Sequence, residues 1–170
     1  MRPSRQQYGM LLALAAATRA TCPRRRVGAV FLNAAGHVLA TGYNGGSRNT
    51  AHCLDKPCAG SLAASGTQLS DCDATHAEIN ALAQCRNVLE VAEIYVTTIP
   101  CPECMKALRA TGAERIYYLH DYPSSRRSRE IWEAHWGTAF RLEQVDLEGL
   151  DQCLDTLVDT YKGLRPRIFA

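Results

Sequence analysis

The sequence predicts an α/β domain in which one sheet is covered by helices on both faces, and three observations predict it. Short β-prone runs, VGAVFLN, HVLATGY, EIYVTTI and ERIYYL, alternate along much of the chain with segments of helical composition, an order that favours a sheet between helix layers. The length of 170 residues and an apolar content of 46% suit one domain with a full core. No internal repeat, low-complexity tract or linker interrupts it, so residues 1–170 read as a single unit.

Residues 4–18 carry Tyr8, Leu11, Leu12 and Ala15 at three- and four-residue intervals, the spacing of an amphipathic helix. Its apolar core, MLLALAAAT, is too short to span a bilayer and lacks the flanks of a cleaved signal, which predicts a cytoplasmic protein with no membrane partner. VGAVFLN and HVLATGY meet across AAG as a strand hairpin. From Asn44 to Asp73 no period is visible, and an unstructured loop of that length calls for a staple. THAEINALAQCR predicts a helix burying Ile79, Leu82 and Ala83, EIYVTTI a strand, and CPECMKALRATG a helix closed by Gly112 as its C′ residue. ERIYYL is a further strand. SSRRSREIWEAHW then reads as a helix, FRLEQV as a strand and residues 147–162 as a last helix.

The net charge of +2 argues against a nucleic-acid partner. The basic clusters RRR at 24–26, SSRRSR at 124–129 and LRPR near the end read first as solvated surface.

Eight cysteines without a secretory signal point to metal or catalysis rather than a disulfide framework. Cys101 and Cys104 fall where a strand ends and a helix begins, with Pro102 suited to the first helical turn. Unpaired N–H groups there favour thiolates. CxxC alone fits a redox pair, half of a zinc knuckle or a chance pair. His76 and Glu78 at the start of the preceding helix sharpen it: H-x-E followed by P-C-x-x-C is the pattern of zinc-dependent base deaminases. One His and two Cys leave the fourth tetrahedral position for water, and Glu78 is the expected proton carrier. The competing readings are a capping box from Thr75 to Glu78 and a buried, hydrogen-bonded His76.

With these residues in place the chain resembles the deoxycytidylate deaminase family of the cytidine deaminase superfamily. The shared landmarks are CPRRRVGAV at 22–30, TGYNG at 41–45, His52 with Cys53, C-x-x-x-HAEINA at 72–81, T-x-x-PCPEC at 97–104, TGAERIYY and the tyrosine of HDYP. The resemblance implies a cytidine deaminase-like three-layer α/β/α sandwich around a five-stranded mixed sheet. It implies conversion of dCMP to dUMP and ammonia for thymidylate synthesis. It also implies a homo-oligomer, hexamer or dimer, with dCTP and dTTP as effectors. After GYNG the family commonly continues with a small residue and proline, whereas this chain reads GSRN, in the region associated with effector binding.

The same resemblance puts Asn44, Thr97 and Tyr122 at nucleotide-contacting positions, although Asn-Gly is also a turn dipeptide, Thr97 could pack in a strand and Tyr122 could lie on the surface. The 5′-phosphate partner is sought among Arg24, Arg25, Arg26 and Arg48, with Arg26 and Arg48 taken into the expected binding set, since guanidinium forks suit phosphate. Cys22, Cys53, Cys58 and Cys72 read as a second, structural zinc site stapling the 44–73 loop, because four thiolates close a tetrahedral shell. Related deaminases support positions like Cys22 and Cys53. His52 could replace Cys58 or Cys72, and a metal-free cluster is the alternative. Cys85 and Cys153 read as core residues. The competing functions are deamination of another substrate (5-substituted dCMP, dCTP, a free nucleoside or tRNA adenosine) and a zinc-binding module without chemistry.

Overall fold

The computed structural model describes residues 2–64, 67–68, 71–122, 125–134 and 141–168, with the side chains of 147, 148 and 163–168 left aside. Its elements run α1 (Arg5–Ala17), β1 (Gly28–Leu32), β2 (Val38–Tyr43), α2 (Ala59–Leu62), α3 (Ala77–Gln84), β3 (Glu93–Thr98), α4 (Pro102–Leu108), β4 (Arg115–His120), α5 (Ser125–Glu133), β5 (Arg141–Gln144) and α6 (Leu147–Ile168). The ends of the SSRRSREIWEAHW segment, Ser124, His135 and Trp136, and Phe140 of FRLEQV lie outside the described residues.

The strands form one five-stranded sheet in the order β2-β1-β3-β4-β5. β1 runs antiparallel to both β2 and β3, whereas β3, β4 and β5 are mutually parallel. Strand alternation sends side chains into two cores. Ala29, Phe31, Ile94, Val96 and Ile116 meet α3, α4 and α5 through Ala77, Ala81, Met105, Leu108, Ile131 and Trp132. Val30, Leu32, Tyr95 and Tyr117 face the other way, against Met10 and Ala13 of α1 and Leu150 of α6. The mixed five-stranded α/β/α sandwich is the expected architecture.

Several local expectations are corrected. α1 begins on a capping box between Ser4 and Gln7, but it buries Gly9, Met10, Ala13 and Ala17, leaving Tyr8 48% exposed. A helix apolar around most of its circumference does not announce its buried face by period alone. α3 likewise buries Ala77, Glu78 and Ala81 rather than Ile79 and Ala83, while Leu82 is half-buried. The cause is Gly42 of β2: a Cβ there would strike the Ala77 carbonyl and crowd the Ala81 amide, so this contact admits only small groups. α4 stops at Leu108 with Arg109 as its C-cap, and Gly112 is not among the positive-φ residues. Gly112 instead lets its backbone pass the Leu89 carbonyl, which a Cβ would block. Cys85, expected in the core, is the half-buried C-cap of α3.

The topology gathers distant segments at one sheet edge. Because β1 is antiparallel to β3, the loop before Gly28 lies beside the C-terminal end of β3. Tyr43 pairs with Gly28, and His120 pairs with Thr98, so the chain leaving β2 and β4 emerges at that same edge. The long insertion is closed at its base by a reciprocal Gly45–Thr75 bridge, with N···O distances of 3.1 and 2.9 Å.

Candidate metal centre and substrate cleft

His76 is the N-cap residue of α3 and Cys101 that of α4, whose first helical residue is Pro102. Two helix starts thereby converge at the C-terminal end of β3, where open α/β sheets place ligands. His76 Nδ1 lies 3.3 Å from Cys104 Sγ and 3.5 Å from Cys101 Sγ. The Cys104 backbone N–H donates to Cys101 Sγ at 3.5 Å. Among the described residues these three form the group of His, Cys and carboxylate donors that closes within 4.8 Å. One imidazole nitrogen and two sulfurs form a donor set suited to zinc, with the fourth tetrahedral direction left to a small ligand.

Hydrogen bonding from the Cys104 thiol, opposed by burial and reinforced by His76, holds Cys101 down to about 4, while its role as donor and its burial push Cys104 far up. A bound cation needs both sulfurs as thiolates, so its binding would release protons. The hydrogen bond with Cys101 raises His76 above its usual value, against its burial.

Glu78 is 4% exposed. Burial raises its carboxyl to about 7, while its own backbone amide, His76 and a hydrogen bond with the Cys104 side chain pull the other way. The capping-box reading fails locally: His76, not Thr75, is the N-cap and no side chain caps the helix, while Thr75 Oγ1 is 3.0 Å from Ser47 Oγ.

Of the three candidate ligands, His76 and Cys101 line an open-mouthed cleft together with Glu78, Val27, Asn44, Thr98, Ile99 and Tyr122, and Cys104 is not part of the lining. Asn44 and Tyr122 are thus at the cleft. Asn44 Oδ1 accepts from the Val27 N–H at 2.7 Å and its Nδ2 donates to the Arg25 carbonyl at 2.8 Å. It braces the 25–27 backbone at the cleft wall.

Thr97 does not line the cleft. Its Oγ1 accepts from the Gly28 N–H at 3.1 Å and ties β1 to β3, whereas Thr98, one residue on, does line it. Arg26 and Arg48 are exposed away from the lining, which includes Arg24 and Arg25. Arg24 Nη1 donates to the carbonyls of Gly60 at 2.6 Å and Thr67 at 3.0 Å, anchoring the insertion. Sequence reasoning weighed Arg24 and Arg25 but could not choose them, because only the closure of the Asn44 braces decides which arginine reaches the cleft.

Cys22, Cys53, Cys58 and Cys72 are all free thiols. Cys53 and Cys58 lie 3.8 Å apart, and Cys22 is electrostatically felt by both Cys53 and Cys72. No three of these cysteines close within 4.8 Å. A hydrogen bond from the Asp73 backbone, opposed by burial, brings Cys58 down to about 7. His52 is exposed.

The family model for the cytidine and deoxycytidylate deaminase zinc-binding region matches residues 3–120. The chain is 36% identical over 152 residues to ComE operon protein 2 of Bacillus subtilis (strain 168), covering 86% of this chain and 74% of that protein. It is 40% identical over 123 residues to the deoxycytidylate deaminase of Mycobacterium phage D29, covering 69% of this chain and 95% of that one. The crystal structure of dCMP deaminase from the cyanophage S-TIM5 in complex with dCMP and dUMP has the same fold, with a TM-score of 0.60 and 21% identity over 85% of this chain and 99% of that chain. With the histidine, the two cysteines and the buried glutamate at one sheet edge, the chain belongs to the cytidine and deoxycytidylate deaminase family of zinc-binding proteins.

Proposed function

We propose that this protein hydrolyses dCMP to dUMP and ammonia, with Glu78 as proton shuttle. The observation that carries the reading is the carboxyl of Glu78, buried beside His76, Cys101 and Cys104 and raised to about 7. Zinc held by His76, Cys101 and Cys104 would supply Lewis-acid chemistry, lowering the pKa of water. Glu78 accepts the proton that water loses as its oxygen bonds to C4 of the cytosine. It passes that proton to the ring nitrogen N3, then takes the remaining proton from the new C4 hydroxyl and passes it to the amine, so that the C4–N bond breaks, C4=O forms and ammonia leaves. A group titrating near neutrality can do both. Val27, Ile99 and Tyr122 provide apolar walls for the base, and Asn44 keeps the 25–27 segment in place.

Arg25 anchors the 5′-phosphate in this reading. It lines the cleft, and among the described residues its guanidinium makes no hydrogen bond or ion pair, whereas that of Arg24 is engaged. The dUMP formed feeds thymidylate synthesis. Cys22, Cys53, Cys58 and Cys72 hold a second zinc: the 3.8 Å sulfur separation of Cys53 and Cys58 suits two thiolates on one tetrahedral ion. The resulting staple is the zinc-closed insertion at about 44–73 within a single domain. dCTP and dTTP are candidate effectors, and the setting is cytoplasmic.

The reading is tested by offering dCMP, 5-substituted dCMP, dCTP, deoxycytidine, CMP and adenosine-containing RNA and following amine loss by absorbance. Preference for dCMP supports it. Preference for a free nucleoside or for RNA replaces the substrate, and inertness toward all of them favours a zinc-binding module.

A further inference from the structure

The end of β4 is strapped to α5 beside the cleft. Arg129, half-buried on α5, uses one nitrogen twice: Nη2 donates to the Tyr118 hydroxyl at 2.7 Å and to Asp121 Oδ2 at 2.6 Å. Tyr118 is a β4 residue, 3% exposed, and Asp121 immediately precedes Tyr122, which lines the cleft. From the other side the Ser125 N–H, at the start of α5, donates to the Tyr122 carbonyl at 3.0 Å. α5 is itself seated by Ser128, Ile131 and Trp132. The last two share a core with Met105 and Leu108 of α4, the helix capped by Cys101. Arg126 and Arg127, by contrast, pair with Glu130 within α5. A pair whose side chains are as exposed as those of Arg129 and Asp121, 33% and 45%, contributes little to stability by itself. Its consequence is geometric.

We propose that Arg129 is a positioning residue for the cleft: by tying the residue before Tyr122 to Tyr118 and to α5, it holds the Tyr122 wall in place relative to the Cys101 and Cys104 sulfurs at the start of α4. The proposal rests on the nucleotide reading of the cleft given above. Arg129 is not among the cleft-lining residues, so it acts through Asp121 and Tyr122. A planar guanidinium sends the two hydrogens of one nitrogen in fixed directions, which holds the phenol and the carboxylate relative to each other, whereas a lysine ammonium has no such fork. A base set against a wall that can swing outward binds less tightly, while the proton transfers at Glu78 are unaffected. The signature therefore falls on KM.

Arg129→Gln in the zinc-loaded enzyme, followed by steady-state kinetics with dCMP and by hydrogen–deuterium exchange, tests the role. KM should rise at least about threefold, within the range produced by residues coupled to a ligand without touching it. kcat should stay within about twofold, the mark of lost ground-state binding, and zinc content should not change. Exchange should quicken in the peptide carrying Tyr122 and Ser125, a readout that needs no substrate. In a Tyr122→Ala background the same substitution should add nothing to KM, whereas a merely structural loss would add as before. Asp121→Asn and Tyr118→Phe, both close to isosteric, should each reproduce part of the rise, and they carry the test if Arg129→Gln folds poorly. Arg126→Gln, on the same helix, should leave KM within about twofold, as expected for an exposed pair. A wild type inert toward dCMP would remove the proposed substrate, and the exchange result would then decide the role of Arg129. Unchanged exchange at Tyr122 and Ser125, an undiminished effect of Arg129→Gln in the Tyr122→Ala protein, or an equal effect of Arg126→Gln would overturn the proposal.

Discussion

His76 Nδ1 stands 3.3 Å from Cys104 Sγ although 28 residues separate them in sequence, because β3 and the starts of α3 and α4 deliver both to one sheet edge. Replacing either partner removes a donor from a three-donor set. His76→Ala and Cys104→Ser should each lower zinc at this site from near stoichiometric to below about a tenth, consistent with the 10–100-fold affinity losses that even outer partners of a metal produce. Inductively coupled plasma mass spectrometry checks this, and deaminase activity should fall in parallel.

Arg25→Ala should raise KM for dCMP by roughly 10–100-fold, since a hydrogen bond to a charged group contributes about 1.5–3 kcal/mol. Deoxycytidine, which lacks the phosphate, should be turned over equally by variant and wild type. Arg26→Ala, at an exposed position away from the cleft lining, should leave KM for dCMP within about twofold. Equal effects of the two variants would remove Arg25 as the anchor.

Gly42→Ala tests how α3 is positioned. The added methyl meets the Ala77 carbonyl, next to His76, so helix and strand must separate. Overpacking of this kind costs about 1–3 kcal/mol. Thermal unfolding should report a lower Tm, and kcat should drop because His76 and Glu78 ride on the displaced helix.

The insertion makes a separate stoichiometric prediction. Purified protein should hold two zinc ions per chain, and Cys58→Ser with Cys72→Ser should reduce this to one while sharpening proteolysis between Gly45 and Thr75. A wild type with one zinc would delete the structural site and leave the cysteines as a reduced cluster.

The strands and the metal trio were legible in the sequence for a shared reason: each is announced by short local patterns, β-prone runs for the strands and H-x-E and P-C-x-x-C for the two helix starts that carry the ligands. VGAVFLN and HVLATGY became β1 and β2, and H-x-E with P-C-x-x-C marked two helix starts. What depends on how elements lean on each other was not legible. Ile79 was assigned to the core by period, yet Gly42 decides which face of α3 is buried. Thr97 and Thr98 are adjacent, and only strand pairing shows that the first is spent on Gly28 while the second meets the cleft. Arg25 could be separated from Arg26 only once Asn44 was seen bracing the backbone on both sides of Arg26.

The central claim is that the Glu78 carboxyl moves the protons of a reaction at the His76, Cys101 and Cys104 centre. Glu78→Gln keeps shape and burial and removes the titrating group, so ammonia release from dCMP, measured beside zinc content and melting temperature, addresses it directly. Turnover should fall by about 10²–10⁴-fold, the usual share of general acid–base catalysis, with zinc still bound and the fold intact. Undiminished ammonia release from a zinc-loaded, folded Glu78→Gln protein would contradict the account.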